Sequence, residues 1–141
     1  MIGHLTDAVV TMHVKNAVAA GTSNQTTSVV DLNAVGGGDA IRFIADVGAL
    51  TAGQVTKMKV QYSDDNVTFS DVAGSETAAM ADGDSNKLLI CDVVKPLHRY
   101  FQAVVERGTQ NAVINCVIAE VYRARKQAVT QDATVSQATK V

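Results

Sequence analysis

The sequence predicts an all-β protein whose strands pair in antiparallel order, as a sandwich or a barrel. Three observations carry this prediction. Apolar and polar residues alternate with a period of two along several segments, as they do in half-buried strands. Clusters of glycine, aspartate and asparagine separate these segments and favour turns. No helical pattern lies between the middle segments, whereas a parallel sheet would need crossover helices. The 141 residues fit a single domain.

The strand pattern recurs along the middle of the chain, and turn signals such as those at 36–39 and 82–84 bound its segments. A segment that is apolar on both faces, 88–94, fits a central strand or one covered by another subunit. The predicted strands are 27–32, 40–47, 55–63, 67–70, 88–94 and 100–107, with apolar faces made by Ile41, Phe43, Ala45, Val47, Met58, Val60, Tyr62, Val67, Phe69, Phe101, Ala103 and Val105.

The final segment, which begins at residue 111, has two interpretations. As a strand, it turns Ile114, Cys116 and Ile118 inward. Its second half also has helical spacing. The high density of β-branched residues favours a strand that runs to about Tyr122.

The two ends differ in composition from the middle of the chain. Residues 1–26 hold a short apolar run followed by small and polar residues, and residues 127–141 contain no aromatic residue and no large aliphatic one beyond valine. We therefore predict an N-terminal arm over 1–26, a sandwich domain over 27–126 and a C-terminal tail over 127–141. Such arms are either frayed or ordered only against a partner. We expect a form without residues 1–16 to keep its fold.

The composition argues against several classes of function. The net charge of −2 is thinly spread and gives no footprint for nucleic acid. No apolar run approaches the roughly 18–20 residues of a membrane-spanning helix. Tryptophan is absent and aromatic residues make up 4% of the chain, which leaves few platforms for stacking on glycans or single-stranded nucleic acid. We expect no nucleic-acid partner and no membrane partner.

The two cysteines, Cys91 and Cys116, both lie in apolar runs. One disulfide is the alternative interpretation. Buried free thiols behave as small apolar side chains, however, and a secreted domain that needed stapling would usually carry more cysteines. We predict reduced core cysteines, consistent with assembly in a reducing cytoplasm.

No combination of residues predicts an active site, so we expect neither enzymatic activity nor a cofactor. His4, His13 and His98 are scattered and lack the spacing of a zinc site. The adjacent carboxylates of Asp64 and Asp65 should point apart instead of converging on one substrate atom.

Two loops match ligand-binding motifs in part. Asp82, Asp84 and Asn86 have the spacing that opens an EF-hand calcium loop, but the glycine and the glutamate that complete the motif are missing. We predict a solvated turn there, with a weak calcium site shared with another chain as the alternative. The glycines 36–38 lack the Lys-Ser/Thr ending of a P-loop. They predict a turn whose small residues allow a neighbouring backbone to approach closely.

The segment 59–72, KVQYSDDNVTFSDV, resembles a pattern found in small structural proteins of tailed bacteriophages. In those proteins a strand ends in a Val-Gln-x-Ser-Asp-Asp turn, and a short strand with a Phe and an Asp-Val follows. The segments 28–31, 43–48 and 99–104 fit the same pattern, so the resemblance covers about residues 27–126.

This resemblance implies a capsid decoration, or cement, protein with a jelly-roll-like β-sandwich. Such proteins commonly sit as homotrimers at threefold positions on the capsid exterior and bridge subunits of the major capsid protein. The implied role is mechanical, and the implied site of synthesis is the host cytoplasm. One departure is the end of the chain, 130–141, which contains no proline, whereas many relatives end in a Pro-rich segment.

Five residues are candidate contacts with another subunit or with the capsid. Three of them belong to apolar strand positions, for which ordinary core is an equal alternative. Two belong to a basic cluster made of Arg123, Arg125 and Lys126, for which a solvated strand end is the alternative. Other functions compatible with the sequence are a head–tail connector, a tail component and, against the scarcity of aromatic residues, a host-glycan-binding module. The candidate contacts are Ile44, Leu89, Val93, Arg123 and Arg125.

Overall fold

Two antiparallel β-sheets pack against each other, and the computed structural model describes residues 4–122 and 130–138 of the chain. The predicted all-β antiparallel sandwich is confirmed. Within these residues one helical turn precedes the first strand. The elements are α1 (Leu5–Ala8), β1 (Val9–Lys15), β2 (Val18–Gly21), β3 (Gln25–Thr26), β4 (Val30–Asp31), β5 (Ala40–Leu50), β6 (Val55–Ser63), β7 (Ser70–Asp71), β8 (Leu88–Val94), β9 (Tyr100–Gly108) and β10 (Ala112–Tyr122).

The first sheet has the strand order β1-β10-β5-β8, and the short β2 also pairs with β10. The second sheet has the order β3-β9-β6-β7, and β4 also pairs with β9. The chain crosses repeatedly between the two sheets, so each sheet depends on residues far apart in sequence. In the part of the chain that the structure describes, no helix combines the length and apolar character needed to cross a membrane.

The core lies between the facing sides of the two sheets. All four apolar residues predicted for the inward side of β5 are fully buried. The second sheet supplies the opposite wall from β6 and β9, again with the predicted residues. Tyr62 is half-buried at the margin of this core. The fully buried residues of these three strands that alternation predicted are Ile41, Phe43, Ala45, Val47, Met58, Val60, Phe101, Ala103 and Val105.

The last strand changes its inward face after Ile114. Ile114 is buried as predicted, but Cys116 and Ile118 are only half-buried, and the core residues are Val117 and the apolar residues at every second position after it. The pairing of β10 with β5 shifts register between Ile114 and Cys116. An extra residue at such a bulge moves all later side chains to the other face, because the period of a strand is two. The predicted inward face is therefore wrong beyond the bulge.

Much of the predicted N-terminal arm belongs to the sandwich. β1 pairs with β10, and its residues Val10, Met12 and Val14 are buried in the core. The alternation of these residues with polar ones is that of a half-buried strand. The boundary predicted at residue 26 is accordingly revised, since the sandwich begins by Val9.

The described part of the C-terminal tail lies along the outer edge of β1. The Thr11 N–H donates to Gln131 Oε1 at 2.9 Å, and the His13 N–H donates to Thr134 Oγ1 at 2.9 Å. The side-chain amide of Gln131 also donates to the Val9 carbonyl at 2.6 Å. The tail thus provides hydrogen-bond partners for an edge strand of its own chain.

Two predicted strands are shorter than expected. Val67 is 81% exposed and lies in a turn, and the following strand is reduced to β7. Within the predicted strand 27–32 only β4 forms, and β3 lies just before this span. Between them, the Thr27 side chain accepts a hydrogen bond from the Ala103 N–H at 3.0 Å. Side-chain hydrogen bonds of this kind compete with strand pairing for backbone groups.

Candidate functional site

The outer side of the first sheet, which points away from the core, carries its side chains in rows across β10, β5 and β8. The strand register aligns Ile118, Ile44 and Ile90 in one row. Ile118 and Ile44 are half-buried by their neighbours, and Ile90 is 47% exposed. Cross-strand apolar pairs stabilise a sheet, but a row of isoleucines on the solvent side also leaves apolar surface available for contact.

The next row is charged and consists of Glu120, Arg42 and Asp92. The guanidinium of Arg42 binds the Asp92 carboxylate through two hydrogen bonds, with Nε–Oδ1 and Nη2–Oδ2 distances of 2.7 and 3.2 Å. The hydrogen bond and the charge of Asp92 raise the pKa of Arg42, and the Glu120 charge adds to this. Arg42 thus compensates the charge of Asp92 within the sheet, and Glu120 leaves the row with one net negative charge.

A third row consists of Tyr122, Ala40 and Val94. An open groove of about 460 Å³ is lined by this row, by the charged row and by Leu5, Thr6, Val9 and Thr11. The three rows are called the striped face below. Apolar side chains beside a charged row suit contact with another polypeptide surface.

The five predicted contact residues fall in different environments. Ile44 is the central residue of the isoleucine row of the striped face. Leu89 is buried in the core and Val93 packs against that core, so the core alternative describes both of them. Arg123 and Arg125 lie outside the described residues. The outward residues of β8 are those of the opposite parity, Leu88, Ile90, Asp92 and Val94.

His98, Asp64 and Asp65 lie near the end of β6 and make contacts within the protein. The His98 ring stacks on Tyr62 with 3.7 Å between ring centroids, and its Nδ1 lies 3.0 Å from Asp64. Asp65 faces its own turn instead, so the two adjacent carboxylates do not converge, as predicted. Among the described residues, no three His, Cys, Asp or Glu side chains are grouped so as to hold a metal ion.

The partial calcium motif is a turn whose carboxylates bind protein groups. Asp84 accepts a hydrogen bond from the Ala81 N–H at 2.9 Å and binds Lys87 Nζ at 2.5 Å. The bond from Lys87, and then that from Ala81, lower the pKa of the Asp84 carboxyl. Asp82 accepts a hydrogen bond from the Gly53 N–H at 2.9 Å.

The glycine run also forms the predicted turn. Gly36 and Gly37 have φ values of 81° and 78°, in the left-handed region that side-chain-bearing residues rarely adopt. Gly38 is buried against β10, where a Cβ atom would clash with the Val121 side chain. The small residue therefore permits close packing within the chain.

Both cysteines are free thiols, as predicted. Burial, followed by the nearby Asp92 charge, raises the pKa of Cys91 to about 11. Its Sγ donates to the Ser75 carbonyl at 3.1 Å. Cys116 is only half-buried, because the bulge in β10 turns it away from the core.

Arg107 is a buried cation that the sequence pattern did not single out. It is 5% exposed, and burial lowers its pKa. Its guanidinium donates to the carbonyls of Ser23, Ala19 and Ala112 at 2.7–2.8 Å. Arg107 thereby ties β2 and the following loop to the ends of β9 and β10. These partners are backbone carbonyls, which residue types do not reveal, so no sequence pattern indicated this role.

The turn within the 59–72 segment is organised by Asp65. Its Oδ1 accepts hydrogen bonds from the N–H groups of Val67 and Thr68, at 2.9 and 2.8 Å, and from the Ser63 hydroxyl at 2.8 Å. The bonds from Thr68 and Val67, followed by that from Ser63, lower the pKa of Asp65 to about 2. Three donors on one carboxylate explain why the motif holds its shape on an exposed loop.

We expect the Asp65 carboxyl to titrate at about 2, below its ordinary value of 3.8. Because the pKa is lower in the folded state, its stabilising contribution is complete above the unfolded value and is lost as the pH falls through about 2. NMR titration of the side-chain carboxyl measures this directly. In Asp65→Asn the difference in unfolding free energy between pH 3.8 and about pH 2 should shrink. A titration midpoint near 3.8 for Asp65 in the unsubstituted protein would contradict the assignment.

Comparison of the sequence with models of known protein families and with curated proteins finds no match.

Proposed function

We propose that the protein is a non-enzymatic structural component of a bacteriophage virion, a decoration protein that binds the capsid exterior and bridges subunits of the major capsid protein. The resemblance of the 59–72 segment supports the assignment to this family. The observation that carries a binding role is the striped face, where apolar rows flank a charged row on the solvent side of a sheet.

The mechanism follows from the chemistry of that face. Covering the isoleucine row removes apolar surface from water, at about 25 cal/mol per Å². The charged row contributes orientation more than affinity, because Arg42 and Asp92 already satisfy one another. A rigid sheet that binds across the junction of two capsid subunits resists their separation without any chemical step.

The proposed assembly on the capsid is a homotrimer. A trimer presents three copies of the striped face, and binding of the first copy makes binding of the others intramolecular. A modest interface in each copy then gives firm attachment of the whole particle. The partners in this proposal are the major capsid protein and two further copies of the chain.

The direct test is binding of the purified protein to undecorated capsids, measured by co-sedimentation. We expect Ile44→Glu to weaken binding by about tenfold or more, because it places an unpaired charge in the middle of an apolar contact. Ile44 is half-buried on the outer side of the sheet, so the core residues beneath it are unchanged.

The matched control is Val67→Glu, the same kind of change at an 81% exposed position in the turn after β6. It should bind capsids like the unsubstituted protein, and both variants should keep the unsubstituted melting temperature to within a few degrees. Normal binding by Ile44→Glu would contradict the role of the striped face. No binding by any form would contradict the decoration proposal itself.

Solution mass distinguishes the forms of assembly. Light scattering coupled to size-exclusion chromatography should give a particle mass that is a multiple of three times the mass of one chain. A larger ring of other symmetry would favour a head–tail connector or a tail component.

A further inference from the structure

Most sheet edges in the described chain are short or covered. β1 is covered by the side chains of Gln131 and Thr134. The edge strands of the second sheet, β3, β4 and β7, are two residues long. Natural proteins manage edges in these ways because an exposed row of N–H and C=O groups readily pairs with another chain.

The part of the β6 edge that β7 does not reach is covered as well. The N–H groups of Thr77 and Met80 donate to β6 carbonyls at 2.9 and 2.8 Å, and the N–H of Val72 donates to another at 2.9 Å. The hydroxyls of Ser75 and Thr77 accept hydrogen bonds from β6 N–H groups at 3.0 Å. The segment 72–80 therefore shields this strand.

β8 differs from these edges. It is seven residues long and ends the first sheet, and within the described residues it pairs only with β5. The Val47 N–H donates to the Lys87 carbonyl at 3.1 Å, and the Lys95 N–H donates to the Asp39 carbonyl at 2.7 Å. Because backbone direction alternates along a strand, the odd-numbered residues of β8 face β5.

The even-numbered residues consequently direct their N–H and C=O groups away from the sheet. No described residue forms a backbone hydrogen bond with them on that side. Several of their side chains are also apolar and exposed, at 55% for Leu88, 47% for Ile90 and 69% for Val94. The occupant that satisfies such an edge is an extended polypeptide strand.

We infer that β8 pairs with β8 of a second copy of this chain, antiparallel across a twofold axis. A twofold contact uses the same edge on both copies, and β8 is the long edge that the described chain leaves open. In this pairing Leu88 lies opposite Val94 and Ile90 lies opposite Asp92. All four residues of each β8 whose N–H and C=O groups point away from β5 then have a partner. Two hydrogen bonds between each opposed pair give about eight in total.

The charges on the strand permit this pairing. Asp92 is the charged residue on the open edge, and Arg42 of the same chain neutralises it through two hydrogen bonds. The register also brings Lys87 opposite Lys95 of the second copy at each end. Asp84 already binds Lys87 and reduces that repulsion. Leu88 and Val94, both largely exposed in one copy, cover each other across the axis.

This contact goes beyond the proposed capsid role and uses the edge of the sheet, whereas capsid binding uses its outer face. Pairing would join two striped faces into one continuous surface. In a trimeric particle the same contact would connect one trimer to the next, because a twofold axis cannot relate three copies.

The first experiment is site-specific disulfide formation. Leu88→Cys and Val94→Cys proteins, each carrying Cys91→Ala and Cys116→Ser so that neither native thiol can form the cross-link, are mixed and oxidised. Opposed residues of a hydrogen-bonded pair have Cα atoms about 5.5 Å apart, within disulfide range. We expect a mixed disulfide dimer. The control mixes Leu88→Cys with Val67→Cys, and cross-linking no faster than in this control would overturn the inference.

The second experiment blocks the edge. Ile90→Pro removes an N–H that points away from β5, so the pairing of β8 with β5 loses no hydrogen bond. Ile90→Glu provides a second block if the proline variant fails to fold, because the register places a second negative charge opposite Asp92 of the other copy. Sedimentation should give an even multiple of the chain mass for the unsubstituted protein and half that mass for a folded variant. An odd multiple, or a folded variant with unchanged mass, would overturn the inference.

Loss of the β8 contact and loss of capsid binding are separable. Ile44→Glu should retain the Leu88–Val94 cross-link, whereas Ile90→Glu should slow it to the rate of the Val67→Cys control. If the cross-link forms but no variant or parent protein binds capsids, the edge contact stands and the decoration proposal fails.

Discussion

Deletion of residues 1–16 is expected to prevent folding, which reverses the expectation drawn from the sequence, because β1 belongs to the sandwich. The deletion removes β1, whose residues Val10, Met12 and Val14 are buried in the core. Burial of three such side chains contributes about 5–9 kcal/mol, at roughly 1.5–3 kcal/mol for each. This is comparable with the whole stability of a typical domain, about 5–15 kcal/mol. The loss also exposes the β10 edge that β1 covers.

The measurement is the far-ultraviolet circular dichroism of the purified deletion, followed by thermal denaturation. A deletion of residues 1–8 is the control, because α1 contains no buried residue and β1 is retained. The shorter deletion should melt cooperatively. If the form without residues 1–16 also melts cooperatively near the temperature of the full chain, β1 does not have the role that its burial indicates.

Phe43→Ala is expected to lower the free energy of unfolding by about 3–5 kcal/mol. Phe43 is fully buried in β5, the strand that pairs with both β10 and β8. Truncation removes the transfer free energy of the ring and leaves a cavity that the surrounding strands fill only in part. Urea denaturation at constant pH measures the change.

Val67→Ala is the control for this substitution, since Val67 is 81% exposed and should change stability by less than about 0.5 kcal/mol. A loss below about 1 kcal/mol for Phe43→Ala would mean that the site collapses or that Phe43 contributes little to the core. Phe43→Leu should lie between the two variants because it leaves a smaller cavity.

The strands that could be predicted are those whose pattern is both regular and local. In β5 every second residue from Ile41 to Val47 is apolar and buried, so alternation alone identified the inward face. β8 was harder, because Leu89 and Ile90 are equally apolar although only the first faces the core. β8 lies at the edge of the first sheet. Its second apolar face is on the outer side of that sheet and is exposed.

The N-terminal segment shows why a local pattern was insufficient. Val10, Met12 and Val14 alternate correctly, but the segment is short and is followed by small and polar residues, so it resembled an arm. Its burial depends on pairing with β10, more than a hundred residues later in the chain. The same holds for Gln131, whose contacts with β1 no sequence spacing could indicate.

The sequence by itself determined the all-β class, the inward faces of β5, β6 and β9, and the turns at the glycine and Asp-rich segments. These follow from a period of two and from local turn chemistry, which need no knowledge of distant residues. Only the tertiary structure decided the bulge that reverses β10, the inclusion of β1, the burial of Arg107 and the open edge of β8. Each of these depends on which strand lies beside which, because register and edge position are properties of paired chains and not of one segment.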